Sequence, residues 1–284
     1  MRFRNRYNIN LFDNPMKRKP ELLETKNRLE SSWYDDEARE LLSQTGGPPN
    51  LLPLDNDFEK WFAGFYDNPD ESQRFDRDYV FFNAFGNVRG LKILELGFGN
   101  GCLSRFLIRQ GGDVCSIDLS RQYCRILAGS EPTSKPVLAC AEILPFKNDS
   151  FDIVTAFVAL HHFNLEMSLS EIKRILKPGG HGVFMEPLQN SKMLYMLRQI
   201  IPIKDNESPG GGGLKEVELR ELSKRYDLSS RIREFEFITR LERLGFLSKL
   251  QRAFRKADYI LLAGIPILRH FARTAVIEIG KSQD

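Results

Sequence analysis

The spacing of apolar positions changes near residue 90. Before it, Leu22, Leu29, Trp33, Ala38, Leu41 and Leu42 recur at helical intervals, which predicts a helix over 21–44 that stops at Gly46-Gly47-Pro48-Pro49. Residues 50–70 are looser, with Pro53 and Pro69, and 71–85 read as helical again. From residue 91 short apolar runs alternate with amphipathic stretches. Leu91, Ile93, Leu94 and Leu96 make a first strand, and a helix follows to about Gln110. Further strands are expected at 113–118, 137–140, 152–157 and 181–186, with helices at 121–129 and 171–176 between them. Lys177-Pro178-Gly179-Gly180 reads as the loop feeding the fifth strand. Strand–helix alternation of this kind predicts an α/β fold with a parallel, doubly wound sheet. After residue 187 the pattern loosens: helices at 189–202 and 214–226, a glycine loop at 210–213, and strands at 232–239 and 272–279.

Composition adds bounds. With 284 residues the chain is long enough for one large domain with elaborations, and 42% hydrophobic with 28% charged residues is ordinary for a globular protein. The net charge of +3 is too small to argue for nucleic acid, but it is unevenly spread: −3 over residues 1–90, zero over 91–190 and +6 over 191–284. Residues 1–20 are polar with a basic Lys17-Arg18-Lys19 cluster and read as a mobile arm; no apolar segment follows to make a signal peptide. The longest apolar run, 259–268, is too short to span a bilayer and is broken by Pro266. Cys102, Cys115, Cys124 and Cys140 lack a C-x-x-C spacing, which suits a reducing, cytoplasmic compartment and argues against a metal site. Ten aromatics fall within residues 58–85. The favoured reading is that these helices bury aromatic faces on the sheet; the alternative is an aromatic-lined pocket or lid for an apolar or planar substrate.

The candidate chemistry begins where the first strand ends, at Glu95-Leu96-Gly97-Phe98-Gly99-Asn100-Gly101. A strand running into a glycine-rich turn and then a helix brings backbone amides against a nucleotide-like ligand. The third glycine of a dinucleotide fingerprint falls on Cys102, and a pyrophosphate tolerates no carboxylate such as Glu95 aimed at it. Asp118, at the end of the second strand, can accept hydrogen bonds from both hydroxyls of a ribose, or cap the helix that starts near Arg121. Cys140, Ala141 and Glu142 end the third strand, with Leu144-Pro145-Phe146 behind them, and His161-His162 follow the fourth.

Together the turn at 95–101, Asp118, 141–146 with Phe151-Asp152, Leu160-His161-His162 and 176–180 cover residues 90–187. This arrangement resembles the class I S-adenosylmethionine-dependent methyltransferases of the broad small-molecule group. The resemblance implies a Rossmann-like, seven-stranded sheet with an antiparallel last strand. It implies S-adenosylmethionine contacts at Glu95, Gly97, Phe98, Gly99, Gly101, Asp118, Leu119, Cys140, Ala141, Glu142 and Phe157. Many relatives carry Asp where this chain has Cys140, a poor acceptor for an adenine amino group. The division expected is a mobile arm at 1–20, a helical lid or substrate region at 21–88, and a methyltransferase domain at 89–284 with helical insertions at 188–230 and 240–273.

A sulfonium methyl is already activated, so such a protein aligns the acceptor, keeps the pocket dry and supplies a base only for a poorly acidic nucleophile. His161 or His162 is the candidate base, although histidines here are often structural. Ala156-Phe157-Val158-Ala159 replaces the Asn-Pro-Pro-Tyr type motif and no Pro-Cys motif occurs, which lowers nucleic-acid acceptors and favours a small organic molecule. Other readings are a non-catalytic cofactor-binding regulator and an NAD(P)-dependent oxidoreductase. Residues 240–273 carry eight Lys or Arg and two acids among apolar positions. A helical cap with a solvated basic face is favoured there over peripheral contact with an anionic membrane.

Overall fold

The computed structural model describes residues 20–45, 75–191, 212–239 and 251–283. Seven strands form one sheet: β1 (Lys92–Leu96), β2 (Asp113–Asp118), β3 (Lys135–Leu138), β4 (Phe151–Phe157), β5 (Leu176–Pro187), β6 (Leu228–Phe235) and β7 (Thr274–Lys281). Their spatial order is β3-β2-β1-β4-β5-β7-β6. The first five are parallel, and β7 runs antiparallel to both of its neighbours. The chain moves outward from β1 to β3, then returns to β4 on the other side of β1. That reversal makes the carboxyl ends of β1 and β4 the switch point, where open α/β sheets bind ligands.

Helices α1 (Pro20–Thr45), α2 (Arg77–Asn83), α3 (Cys102–Arg109), α4 (Arg121–Ser130), α5 (Leu165–Ile175), α6 (Glu216–Arg225) and α7 (Gln251–Gly264) surround the sheet. One core lies against α5 and α6 and holds Leu94, Val154, Leu169, Ile172, Leu219 and Ile277. The second holds Ile93, Ile153, Val183 and Met185 under Phe81, Phe82, Phe85, Phe106 and Leu107. Alternate residues of β1 and β4 enter opposite cores, the period-2 consequence of a pleated strand buried on both faces.

The aromatic stretch therefore divides. Phe81, Phe82 and Phe85 are core, at 0–4% exposure, as the favoured reading expected. The aromatic positions at 58–66 lie outside the described residues, as do 192–202 of the helix expected at 189–202 and all of the arm expected at 1–20 except Pro20, which begins α1.

Several boundaries differ from the sequence reading. The expected loop at 177–180 belongs to β5, which begins at Leu176. Leu176 pairs with Phe151, a bulge follows, and pairing resumes at His181 opposite Ile153. Gly180 permits this because a Cβ there would lie 2.9 Å from Lys177 O and 3.0 Å from Asp152 O. β3 covers 135–138 rather than 137–140, so Cys140 and Ala141 sit in the turn beyond it. α5 starts six residues earlier than expected, because Asn164 caps it by accepting from Met167 N–H. β6 lies four residues earlier than the expected 232–239; Asp258 captures the amides of Phe237, Ile238 and Thr239 instead. Among the described residues no helix is long and apolar enough to cross a membrane.

Candidate active site

Three left-handed residues shape the glycine turn: Gly97, Gly99 and Gly101 have φ of +65°, +49° and +76°. Their surroundings differ. A Cβ at Gly97 would lie 2.8 Å from Ala159 Cβ, and one at Gly101 would lie 2.7 Å from Leu127 Cδ1. At Gly99 it would meet nothing within 4 Å. Gly97 and Gly101 thus let the turn pack onto the β4 loop and α4, whereas Gly99 leaves bare backbone that a ligand can approach. Phe98 turns away into a cluster with Ala38 of α1 and Tyr123, Ile126 and Leu127 of α4.

Asp118 stands beside this open position. Its Oδ2 accepts from Gly99 N–H at 3.0 Å and its Oδ1 from Ser120 N–H at 2.8 Å. Ser120, not Asp118, caps α4, accepting from Tyr123 N–H at 3.1 Å. Burial pushes the Asp118 carboxyl up to about 6, although three backbone amides pull it down. Glu95 lies beneath the turn rather than on its surface. It is 2% exposed, accepts from Ser104 Oγ, and that hydroxyl meets Ser116 Oγ at 2.7 Å. Burial raises its carboxyl to about 8, Ser104 opposes this, and Asp118 adds to it. Arg105, one residue on, is a deeply buried guanidinium whose Nε and Nη1 have no hydrogen-bond partner.

Beyond β3, Ala141 and Glu142 are buried and Cys140 is half-buried, its thiol pushed up mainly by burial. Glu142 Oε1 accepts from Asn164 N–H at 2.8 Å, which fastens this turn to the start of α5. Phe157, at the end of β4, is 42% exposed with its ring 5.6 Å from that of Phe81. Val158 follows with φ of +57°. A β-branched residue in the left-handed region stores strain, a feature that gathers at functional sites.

His161 and His162 lie in a 3₁₀ turn, Leu160–His162. Glu186, near the end of β5 and fully buried, accepts from the N–H groups of Ala159 at 3.0 Å, Leu160 at 2.7 Å and His161 at 3.3 Å. Its Oε2 is 2.7 Å from His161 Nδ1. A carboxylate only accepts, so Nδ1 carries the proton and Nε2 is the basic nitrogen. The two imidazoles lie 4.0 Å apart. His162 faces the other way: Nε2 is 3.2 Å from Tyr34 Oη, Nδ1 is 3.5 Å from Glu30 Oε1, and its carbonyl accepts from Lys26 Nζ. Burial lowers the His162 pKa, and Glu30 opposes this. Lys26, Glu30 and Tyr34 all belong to α1. The same helix donates Ser31 Oγ to Leu119 O at 2.8 Å and accepts from Ser120 Oγ at Asp35, 2.6 Å.

The structure thus gathers Gly97, Gly99, Gly101, Asp118, Leu119, Phe157, His161 and His162 at one edge of the sheet. Glu95 and Phe98 point into packing beneath and behind it. Sequence reasoning passed over Glu186, Arg105 and Val158. Glu186 alone left a trace, as an acid ending an apolar strand.

Residues 94–184 match the family model described as Methyltransferase domain. The arginine hydroxylase NDUFAF5, mitochondrial, of Homo sapiens is 33% identical over 120 residues, 42% of this chain and 34% of that protein. The ubiquinone/menaquinone biosynthesis C-methyltransferase UbiE of Burkholderia vietnamiensis is 31% identical over 130 residues, 40% of this chain and 54% of that one. The chain therefore spans about a third to a half of the length of these curated relatives. Two solved structures share the fold. The [4+2]-cyclase SpnF has a TM-score of 0.56 at 18% identity, covering 89% of this chain and 95% of that one. An S-adenosylmethionine dependent methyltransferase from Mesorhizobium loti has a TM-score of 0.52 at 17% identity, covering 71% and 96%. Residues 94–184 thus carry a methyltransferase domain, and the sheet order with the turn at its switch point gives the chain a fold similar to that of the class I S-adenosylmethionine-dependent methyltransferases.

Proposed function

We propose that this chain transfers a methyl group from S-adenosylmethionine to a small organic acceptor. The observation that carries the reading is the Asp118 carboxylate fixed beside the open face of Gly99. A buried acceptor next to bare backbone suits a ribose diol lying on a glycine turn. In this assignment Asp118 holds the ribose, with Leu119 beside it. The backbone of Gly97, Gly99 and Gly101 carries the methionine part, Cys140, Ala141 and Glu142 border the adenine, and Phe157 edges the pocket. Glu95 and Phe98 act from below, by holding the turn in shape. The orphaned donors of Arg105 fit an anionic group near this turn.

The cofactor supplies an activated methyl on a sulfonium; the chain's residues supply position and proton management. Glu186 orients His161 and leaves Nε2 able to take a proton from a hydroxyl or amine acceptor. Helix α1 is the lid, since its side chains bond to Leu119, Ser120 and His162 on opposite sides of the turn. The acceptor pocket is assigned to the N-terminal aromatic helices and residues 188–230, because the cofactor half is already accounted for; of these, 46–74 and 192–211 lie outside the described residues. Four free cysteines suit a cytoplasmic site of action.

The test is release of S-adenosylhomocysteine by the full chain against a panel of hydroxyl, amine and thiol acceptors. Release with a small acceptor supports the reading. Tight cofactor binding without release to any acceptor class would make the chain a cofactor-binding regulator instead. A thermal shift with NAD and none with S-adenosylmethionine would overturn the cofactor assignment.

A further inference from the structure

The described part of the C-terminal cap ends in an apolar tip. Between Tyr259 and Ile267 there is no charged residue, and seven of the nine positions are exposed: Tyr259, Ile260, Ala263, Gly264, Ile265, Pro266 and Ile267. Ile260, Ile265 and Ile267 are 57, 45 and 69% exposed. Three isoleucines within eight residues, open to water, make an apolar tip where α7 ends and the 3₁₀ turn Pro266–Phe271 begins. Apart from the buried Asp258, the charges that flank it in sequence are basic: Lys256 before it, and Arg269 and Arg273 after it, with Arg269 Nε donating to Leu262 O at 2.8 Å and its charge facing Glu234. From Tyr259 to Ile277 the chain has no acid. Asp258 is buried and spent on the amides of 237–239, and Arg255 pairs with the buried Asp76.

We propose that this tip docks on an anionic lipid bilayer, with Ile260, Ile265 and Ile267 entering the interface and Lys256, Arg269 and Arg273 meeting lipid phosphates. Charge complementarity selects this occupant, because basic side chains ringing an apolar tip match an anionic headgroup layer over acyl chains. Size argues against a second copy: seven exposed residues fall well short of the roughly 20–30 per side of a stable interface. The tip also sits at the functional end of the sheet. β7 starts at Thr274, opposite Pro187 of β5 and Phe235 of β6, so the segment before it lies at the carboxyl edge of the parallel strands. Docking there turns the edge that carries the glycine turn and His161 toward the membrane, where an amphipathic molecule would be met.

The experiment is co-sedimentation of the full chain with vesicles of phosphatidylcholine alone and with about one third phosphatidylglycerol. The native chain should partition at least tenfold more strongly onto the anionic vesicles, and salt should release it. The double variant Ile265→Asp with Ile267→Asp should lose about tenfold in partitioning while keeping its melting temperature and S-adenosylhomocysteine affinity, since both side chains are exposed. Lys256→Glu should weaken binding to anionic vesicles alone. No binding to either vesicle, or equal binding by native chain and double variant, overturns the proposal. So does self-association in sedimentation velocity that the double variant abolishes, which would assign the tip to a second copy.

Discussion

Asp118 and the glycines beside it make separable demands. If Asp118 holds the ribose, Asp118→Ala should weaken S-adenosylhomocysteine binding by about 1–3 kcal/mol, the range for charge-assisted hydrogen bonds, as read by calorimetry. Unchanged affinity would sink the assignment. Gly101→Ala forces φ +76° on an L side chain and drives its Cβ to 2.7 Å from Leu127, so it should lower stability by about 1–3 kcal/mol. Gly99→Ala also occupies a left-handed position, but its Cβ meets only open space; it should cost less stability and more cofactor affinity. Melting temperature and calorimetry on both variants distinguish them, and equal losses in both would refute the division. Glu186 anchors three amides and one imidazole. Glu186→Gln keeps the shape and removes the charge that selects the His161 tautomer. On the base assignment it should lower turnover about a hundredfold and reshape its pH profile, with KM for the cofactor little changed. A loss confined to KM would reduce Glu186 to a scaffold.

At the scale of elements, the central strands β1 and β4 were legible because they are buried on both faces and read as apolar runs, whereas the edge strand β3, exposed or half-buried throughout, was placed two residues off. What misled were local partners that apolar spacing does not encode: the Asn164 cap, the bulge before His181, and Asp258 taking the amides that would have extended β6. Asp118 illustrates the same limit. Its position predicted either a ribose acceptor or a helix cap, and only the Ser120 hydroxyl bonded to Tyr123 N–H resolves which residue caps. Helix α1 was legible as a helix in a lid or substrate region, but its partners were not, since they are more than 80 residues away. It is held over the turn by polar bonds and a small cluster around Ala38 and Phe98. Such a contact opens at low cost, which suits a lid. Tyr34→Phe combined with Ser31→Ala should raise hydrogen exchange across α1 and speed cofactor release several-fold, with global stability down by about 1–2 kcal/mol. Unaltered exchange in α1 would mean that packing alone holds it.

For the whole molecule, the site imposes a cost that depends on pH. Glu95 sits beneath the turn with its carboxyl raised to about 8, from an ordinary value near 4.5, because burial removes the charged form from water. The sign follows from proton binding. Between those two values the native chain holds the proton and the unfolded chain has released it, so stability falls as pH rises through that window. Each pH unit within it costs about 1.4 kcal/mol for one fully uncoupled group, and coupling to Asp118 and Arg105 reduces the slope. Asp118, raised to about 6, adds to the decline below that pH and contributes nothing further above it. Glu95→Gln keeps an acceptor for Ser104 Oγ and removes the titration. Denaturant midpoints of the ligand-free chain should therefore drop between pH 5 and pH 8, and Glu95→Gln should flatten most of that drop above pH 6. If the variant declines as steeply as the native chain over pH 6–8, the buried carboxyl beneath the turn is not the group that sets the pH response.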